Sequence, residues 1–147
     1  MTRPASTPGL IHFADPLPLP STDRPDIERS IGPAPLRTTW EAYADPESGL
    51  SVGEWACEPG VWKIAFHAHR HEFFHVLEGR LRIVADSGEV RSFGPGDAGV
   101  IPAGFAGRFE VLERVRKRYV MIDTPIAWWL ARTKVWWKGP IGGCLGA

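Results

Sequence analysis

Short apolar runs separated by turn residues dominate the chain from about residue 49 onward. The runs are rich in Val, Ile, Phe and Trp, and Gly, Pro and Asp separate them at intervals of about ten residues. This pattern is typical of an antiparallel β-sandwich or barrel, and proline and glycine corners suit a jelly roll. We therefore expect an all-β jelly-roll barrel. The predicted strands lie near residues 50–56, 61–67, 72–78, 80–85, 89–93, 98–101, 107–112 and 115–122.

The segment before this region has a different composition. Eight of the fourteen prolines lie in residues 1–40, and proline removes a backbone donor and fixes φ. We expect this arm to form neither helix nor central strand, and to be either disordered or extended along the barrel. Docking is favoured by its apolar residues, which are Leu10, Ile11, Phe13, Leu17 and Leu19. The sequence thus predicts an N-terminal arm (1–40), a barrel (41–124) and a C-terminal extension (125–147).

The C-terminal extension is rich in tryptophan. Residues 126–138 follow Pro125 and end before Gly139-Pro140, which is typical of a short helix. On such a helix Trp129 and Trp137 would lie within about 80° of each other. We expect these rings to pack on the barrel or on a dimer partner, because tryptophan supplies a large area for burial.

Charge and composition exclude several classes of function. The chain has 17 basic and 17 acidic residues, so its net charge creates no field that would attract nucleic acid. No window approaches the roughly 20 apolar residues that span a bilayer, and the N-terminus lacks the apolar run of a signal peptide. Cys57 and Cys144 indicate neither a disulfide framework nor a thiolate zinc site. We expect a cytoplasmic protein that binds neither nucleic acid nor membranes.

Four of the five histidines lie between residues 67 and 75. If His67, His69 and Glu72 converge, they form a two-histidine, one-carboxylate set with open positions, which suits a divalent metal such as Mn, Fe, Ni or Zn. His71 is a weaker candidate ligand. If residues 66–76 form one strand, however, alternation places Glu72 on one face and the histidines on the other, and no metal site forms. The sequence leaves both arrangements open.

The basic run near the end of the barrel has two interpretations. Arg114, Arg116, Lys117 and Arg118 could bind a carboxylate. Because Glu110 and Glu113 stand close by in sequence, we favour a solvated strand edge, where charged residues discourage pairing with other strands.

The stretch from Gly60 to Val120 resembles the cupin superfamily. In the counterpart of the first cupin motif, six residues separate Gly60 from His67 and one separates His67 from His69. Two residues then separate His69 from Glu72, and six separate Glu72 from Gly79. In the counterpart of the second motif, five residues separate Gly96 from Pro102, one separates Pro102 from Gly104, and two separate Gly104 from Gly107. Val111 stands in the place of an asparagine. Compared with metal-binding cupins, the histidines are displaced by one residue. Gly107 stands where those cupins have a further histidine ligand.

The resemblance also implies a ligand pocket. If Gly107 faces inward, Phe109 and Val111 share its face by alternation. A small, partly apolar ligand would then fit, with Glu72 or the histidines as polar anchors. In the alternative, Phe109 and Val111 simply belong to the core. The predicted pocket residues are Glu72, Phe74, Val76, Gly107, Phe109 and Val111.

Within the superfamily, residues 102–120 are similar to small single-domain cupins related to the cupin domain of ureidoglycine aminohydrolase. That resemblance leaves two functions open. The first is a homodimeric cupin that binds a small organic metabolite in its barrel without a full catalytic metal site. The second is a metal-dependent enzyme, aminohydrolase-like or other, that acts on a small ureido, amide or polar metabolite. The implied cofactor is accordingly none, or one divalent metal.

Overall fold

The structure is a computed structural model that describes residues 8–124 of the chain. The described residues form strands and turns but no helix, and none of them forms a segment that could cross a membrane as a helix. The predicted helix at 126–138 and its tryptophans lie outside the described residues. The strands are β1 (Ser21–Asp23), β2 (Ser30–Ile31), β3 (Arg37–Asp45), β4 (Leu50–Cys57), β5 (Gly60–Ala65), β6 (Arg70–Ala85), β7 (Val90–Phe93), β8 (Ala98–Ile101) and β9 (Ala106–Asp123).

The sheet is organised around β9, which pairs with three strands. One edge of β9 pairs with β5 along its first half and with β4 along its second half, while the other edge pairs with β6 along nearly its whole length. β7 and β8 pair with the free edge of β6, and β3 extends the sheet beyond β4. The result is a curled, all-β sheet, which confirms the predicted fold class.

The two longest strands, β6 and β9, bend at the positions where the sequence predicted a boundary between two separate strands. Register shifts interrupt their pairing between Val76 and Leu81, and such β-bulges increase the local twist of a sheet. Gly79 lies in this bend with a φ of 79°. A Cβ atom on Gly79 would lie 2.0 Å from the carbonyl oxygen of Arg114. The four strands predicted at 72–78, 80–85, 107–112 and 115–122 are therefore two long, bent strands.

The core lies between the facing halves of the curled sheet. Alternate residues of β6 and β9 point into it, because successive side chains of a strand point to opposite faces. Phe74, Val76, Leu81 and Val115 are completely buried. The surrounding buried apolar residues are Cys57, Trp62, Ile83, Ile101, Phe109 and Val111.

Part of the Pro-rich arm pairs with the sheet. β1 pairs with β3, β2 pairs with β5, and both short strands lie at the ends of the sheet order. For these two short strands the expectation that the arm forms no central strand holds, but it is wrong for residues 37–40, which begin β3 and pair with β1 on one side and β4 on the other. Phe13 packs under the guanidinium of Arg118 at 5.4 Å, whereas Leu10 and Leu19 are fully exposed. β3, which begins inside the arm at Arg37, was not predicted.

The basic run is not a solvated strand edge, because β9 lies in the interior of the sheet. Arg116 donates to Glu54 at 2.7 Å, and Lys117 is buried. Glu110, which is close to this run in sequence, is not its partner, since Glu110 is held by Arg82 and Arg108. Burial alone would raise the pKa of Glu110, but hydrogen bonds from the two guanidiniums outweigh it and hold this pKa below its usual range.

Replacing Gly79 with alanine tests the bend between the two halves of the sheet. Gly79→Ala should lower the free energy of unfolding by more than the roughly 1–3 kcal/mol expected for an unfavourable φ alone, because its Cβ also meets a backbone oxygen. Gly88→Ala is the matched control, since Gly88 has a φ of 97° and no atom within 4 Å of its Cβ position. Urea unfolding measures both variants, and equal losses would contradict the role given to the close approach at Gly79.

The hydrogen bonds from Arg82 and Arg108 to Glu110 predict that the stability of the fold depends on pH. Because the pKa of Glu110 is lower in the folded state, its contribution is complete above the unfolded pKa of about 4.3 and is lost as the pH falls through the folded pKa. Glu110→Gln should therefore cost about 1–3 kcal/mol at pH 7, and the difference from wild type should shrink below about pH 4. Urea unfolding from pH 7 to pH 3 tests this, with Glu113→Gln, at an exposed position of the same strand, as the control. A difference independent of pH would contradict it.

Candidate functional site

A cavity of about 470 Å³ opens inside the curled sheet. Its volume is in the range of pockets that hold small organic molecules. β3, β4, β5, β6 and β9 supply most of the wall, and the segment that includes β1 and leads to β2 supplies one side of the mouth. The lining residues are Asp23, Arg24, Pro25, Asp26, Arg29, Arg37, Thr39, Glu41, Ser51, Trp55, Trp62, Lys63, Ile64, Ala65, Phe66, Arg70, Glu72, Ile101, Phe109, Lys117, Tyr119 and Met121.

A buried ion pair forms part of the cavity wall. The ammonium of Lys117 on β9 donates to Glu72 Oε2 on β6 at 2.6 Å, and the two side chains are only 4% and 8% exposed. Both residues lie on the inward face of their strands. Burying a charge is costly unless it is paired and hydrogen-bonded, so each of these groups requires the other.

Aromatic rings surround the Lys117 ammonium. Its Nζ atom lies 4.6 Å from the ring centre of Trp55, 4.9 Å from that of Phe74 and 5.1 Å from that of Phe109. Trp62 stacks on Phe109 with ring centres 4.9 Å apart. The negative faces of such rings attract a cation at these distances. The wall around Lys117 therefore offers flat apolar surface and supports the positive charge.

Three hydrogen-bonded side chains on the cavity wall connect β3, β4 and β9. Ser51 Oγ on β4 donates to Glu41 Oε2 on β3 at 2.8 Å and lies 3.2 Å from the Tyr119 hydroxyl on β9. Burial raises the pKa of Tyr119; the Ser51 hydrogen bond lowers it, and the carboxylates of Glu41 and Glu72 raise it further. Tyr119 therefore stays protonated at neutral pH and offers a hydroxyl at the cavity.

The histidine cluster lies away from the Lys117–Glu72 pair. His67 Nε2 is 2.7 Å from Asp123 Oδ1, and the His67 Nδ1 atom accepts the backbone N–H of His69. His71 is exposed on the outward face of β6, and its Nδ1 atom accepts the backbone N–H of Ala103. None of these histidines lines the cavity.

The predicted metal ligands do not fit a metal ion in this arrangement. The Glu72 carboxylate already binds a cation, the Lys117 ammonium, and both ring nitrogens of His67 have partners. Within residues 8–124, no group of three or more His, Cys, Asp or Glu side chains could hold a metal ion. The divalent cofactor stays a prediction.

The residues of the predicted pocket occupy different places. Glu72 and Phe109 line the cavity, whereas Phe74, Val76 and Val111 are packed in the core. The Phe74 ring nevertheless contacts the Lys117 ammonium from the core side.

Gly107, the remaining residue of the predicted pocket, is buried against β6. A Cβ atom on Gly107 would lie 2.2 Å from the carbonyl oxygen of Val84 and 3.0 Å from the Cα atom of Ala85. A side chain at this position, including a histidine ligand, therefore requires the backbone to shift.

Sequence reasoning missed Lys117, Trp55, Trp62 and Tyr119 as lining residues. The available signal was alternation along β9, since Lys117 and Tyr119 are in phase with the buried Phe109 and Val115. Because basic residues stand on either side of Lys117, the segment resembles one exposed basic run, and the alternation was not recognised.

Cys57 is not a candidate nucleophile. It is completely buried, and burial raises the pKa of its thiol to about 12. The thiolate, which is the reactive form, is therefore scarce at neutral pH.

Residues 44–119 match the family model of the EutQ-like cupin domain. A protein of unknown function from Pseudomonas syringae pv. tomato has a similar structure, with 25% identity and a TM-score of 0.64 over 76% of this chain and 46% of that chain. The EutQ protein of Clostridium difficile is 23% identical, with a TM-score of 0.54 over 65% of this chain and 77% of that chain. A putative ethanolamine utilization protein Q from Salmonella typhimurium is 18% identical, with a TM-score of 0.54 over 80% of this chain and 100% of that chain.

These similarities confirm the cupin fold expected from the two motifs. This chain spans less than half the length of the Pseudomonas protein, and the structures under 25% identity support the fold alone. In the comparison with curated proteins, no sequence matches. The finer resemblance to ureidoglycine aminohydrolase is not confirmed.

The Lys117–Glu72 pair predicts strong coupling between the two side chains. Glu72→Gln or Lys117→Met alone should each lower the free energy of unfolding by about 3–5 kcal/mol, because each leaves an unpaired buried partner. The double variant Glu72→Leu, Lys117→Met should lose less than either single variant. Guanidinium unfolding at pH 7 measures the three, with Glu89→Gln as the control because the Glu89–Arg91 pair is exposed and 3.9 Å apart. Single losses as small as that of the control would contradict the coupling.

Proposed function

This chain belongs to the family of EutQ-like cupin domains, and on that premise we propose that it binds a small organic molecule in the cavity of its barrel. The observation that carries this proposal is the Lys117 ammonium, which is buried at the cavity wall. An ammonium has three hydrogen-bond donors. Within residues 8–124 its one hydrogen-bond partner is Glu72, and its other two donors face aromatic rings or the cavity; the proposal is that a ligand oxygen accepts from one of them.

The charge of the pair suggests which group of the ligand lies there. Because Glu72 neutralises Lys117, the pair as a unit attracts a neutral acceptor oxygen, such as a carbonyl or hydroxyl group, more than a full negative charge. The protonated Tyr119 hydroxyl adds another polar contact on the same wall. Trp55 and Trp62 provide flat apolar surface for the remainder of the ligand.

Blocking the cavity tests the proposal. Thr39 and Thr38 are adjacent in β3, but only Thr39 lines the cavity. Thr39→Trp should fill the cavity, whereas Thr38→Trp adds the same ring at a position that does not line it. A panel of small amides, ureido compounds, alcohols and carboxylates is screened by thermal unfolding. A compound present at about 100 times its Kd stabilises a protein by about 2.7 kcal/mol, which raises Tm by several degrees.

We expect at least one compound to raise the Tm of the wild type and of Thr38→Trp, and to leave that of Thr39→Trp unchanged. A compound that stabilises all three proteins equally binds elsewhere and contradicts the proposal. The absence of any stabilising compound in the panel contradicts it as well.

A further inference from the structure

Glu41 on β3 carries a carboxylate that lines the cavity and has no cationic partner. Its Oε2 atom accepts a hydrogen bond from Ser51 at 2.8 Å, and both residues line the cavity. Within residues 8–124, the Glu41 carboxylate forms no ion pair, whereas the carboxylate of Glu72 is paired with Lys117. The wall therefore includes a negative charge that these residues do not neutralise.

The register of the sheet fixes the direction of the Glu41 side chain. Glu41 lies opposite Gly53 of β4, and Gly53 lies opposite Tyr119 of β9. Residues directly opposite each other share a face of the sheet, so Glu41 and Tyr119 are both on the inward face. Because Gly53 has no side chain between them, both side chains reach the hydroxyl of Ser51. The Glu41 carboxylate is thus held inside the cavity, at its open side, since Glu41 is exposed.

The hydrogen bonds of these side chains are all directed toward Glu41. The Ser51 hydroxyl has a single proton, and it donates this proton to Glu41. The Tyr119 hydroxyl, 3.2 Å from Ser51 Oγ, then donates to the serine oxygen, and its own oxygen keeps a lone pair for a further donor. Within residues 8–124, Glu41 Oε1 accepts no hydrogen bond. Glu41 and Tyr119 therefore both offer acceptor atoms to a ligand.

The negative charge of Glu41 extends to the buried part of the wall. Burial raises the pKa of Tyr119, and the carboxylate of Glu41 raises it further. A charge in a partly enclosed cavity interacts more strongly than it would in bulk water, because the effective dielectric constant is lower. A primary ammonium group has three donors and a positive charge, so it complements the charge and the acceptor atoms of this wall.

The position of Glu41 relative to Lys117 sets the spacing of groups on such a ligand. Lys117 and Tyr119 point to the same face of β9, and residues two apart on a strand are separated by about 7 Å. A ligand that reaches both ends therefore carries an oxygen and an amine several bonds apart. Glu41 precedes residues 44–119, which match the family model, so this carboxylate comes from outside the family match.

We propose that Glu41 and Tyr119 form a subsite for a primary ammonium group, so that the ligand of this cavity is a small amine that also carries a neutral oxygen. This inference rests on the proposed function and specifies the class of ligand. The ammonium donates to Glu41 Oε1 and to the Tyr119 oxygen, while the neutral oxygen of the same molecule faces Lys117. Hydrogen bonds between an ammonium and a carboxylate are charge-assisted and stronger than those between neutral groups.

Three probes that share a benzamide group test the subsite. In the para position they carry an aminomethyl group, which is a cation, a methyl group, which is neutral, or a carboxylate. Their Kd values are measured by calorimetry on the full chain at low and at moderate salt. We expect the amine to bind about fivefold more tightly than the methyl compound at low salt, as for a partly exposed ion pair, and the carboxylate to bind most weakly. The advantage of the amine should shrink at moderate salt because exposed charges are screened.

Substitution of Glu41 locates the effect. Glu41→Gln should weaken binding of the amine by about fivefold and leave binding of the methyl compound unchanged. Glu47→Gln is the matched control, since it removes the same charge from an exposed position in the turn after β3 that does not line the cavity. It should leave all three Kd values unchanged.

The outcomes separate this inference from the proposed function. If the three probes bind equally, if the carboxylate binds most tightly, or if the preference for the amine survives Glu41→Gln, the subsite is wrong and cavity binding stands. A preference that Glu47→Gln also abolishes overturns the subsite in the same way. If binding of the methyl compound persists in Thr39→Trp, the cavity is not the binding site and both proposals are wrong. Absence of binding by all three probes also overturns both.

Discussion

The long antiparallel pairing of β6 with β9 is the constraint on which the other features of this fold depend. Each of these strands crosses both halves of the curled sheet, and the bend at Gly79 lets them pass from one half to the other. β4, β5, β7 and β8 pair with their outer edges, and β1, β2 and β3 extend the sheet beyond β4 and β5. The pairing of β6 with β9 places Glu72 opposite Met121 and Lys117 opposite Val76 on the inward face, and the long side chains of Glu72 and Lys117 meet across this offset. The bend that closes the core therefore also creates the polar centre of the cavity.

The Lys117–Glu72 pair explains how this cavity accommodates a buried carboxylate. In a metal-binding cupin, a carboxylate at the place of Glu72 would face a metal ion. Here an ammonium from the opposite strand satisfies it, and three aromatic rings support that positive charge. The pair is neutral overall, and both of its residues line the cavity. Such a centre is suited to orienting a polar organic group.

Two parts of the chain form the walls of one cavity. Most of the wall, with the Lys117–Glu72 pair and the aromatic surface, comes from strands within the family match. The segment from Asp23 to Arg29, which precedes that match, supplies a further part of the lining. The N-terminal arm therefore contributes to the cavity as well as the barrel.

Several features of the fold were readable from local sequence. Apolar runs between Gly and Pro corners predicted strands, and the two spaced motifs predicted the cupin fold. Alternation placed Glu72 with Phe74 and Val76 on the inward face, as the structure shows. These features depend on a period of two residues and on turn chemistry, which neighbouring residues determine.

The composition of the site was decided by tertiary structure. Glu72 and Lys117 are 45 positions apart along the chain. They are not register partners either, since Glu72 lies opposite Met121 and Lys117 opposite Val76, so only the folded sheet brings their side chains together. The pairing of β6 with β9 places Asp123 opposite Arg70, where His67 in the preceding loop contacts it, and it gives Lys117, a member of a basic run, an inward position. The arm became part of the cavity because its short strands pair with β3 and β5. Such contacts depend on long-range pairing and burial, and residue type and spacing along the chain do not specify them.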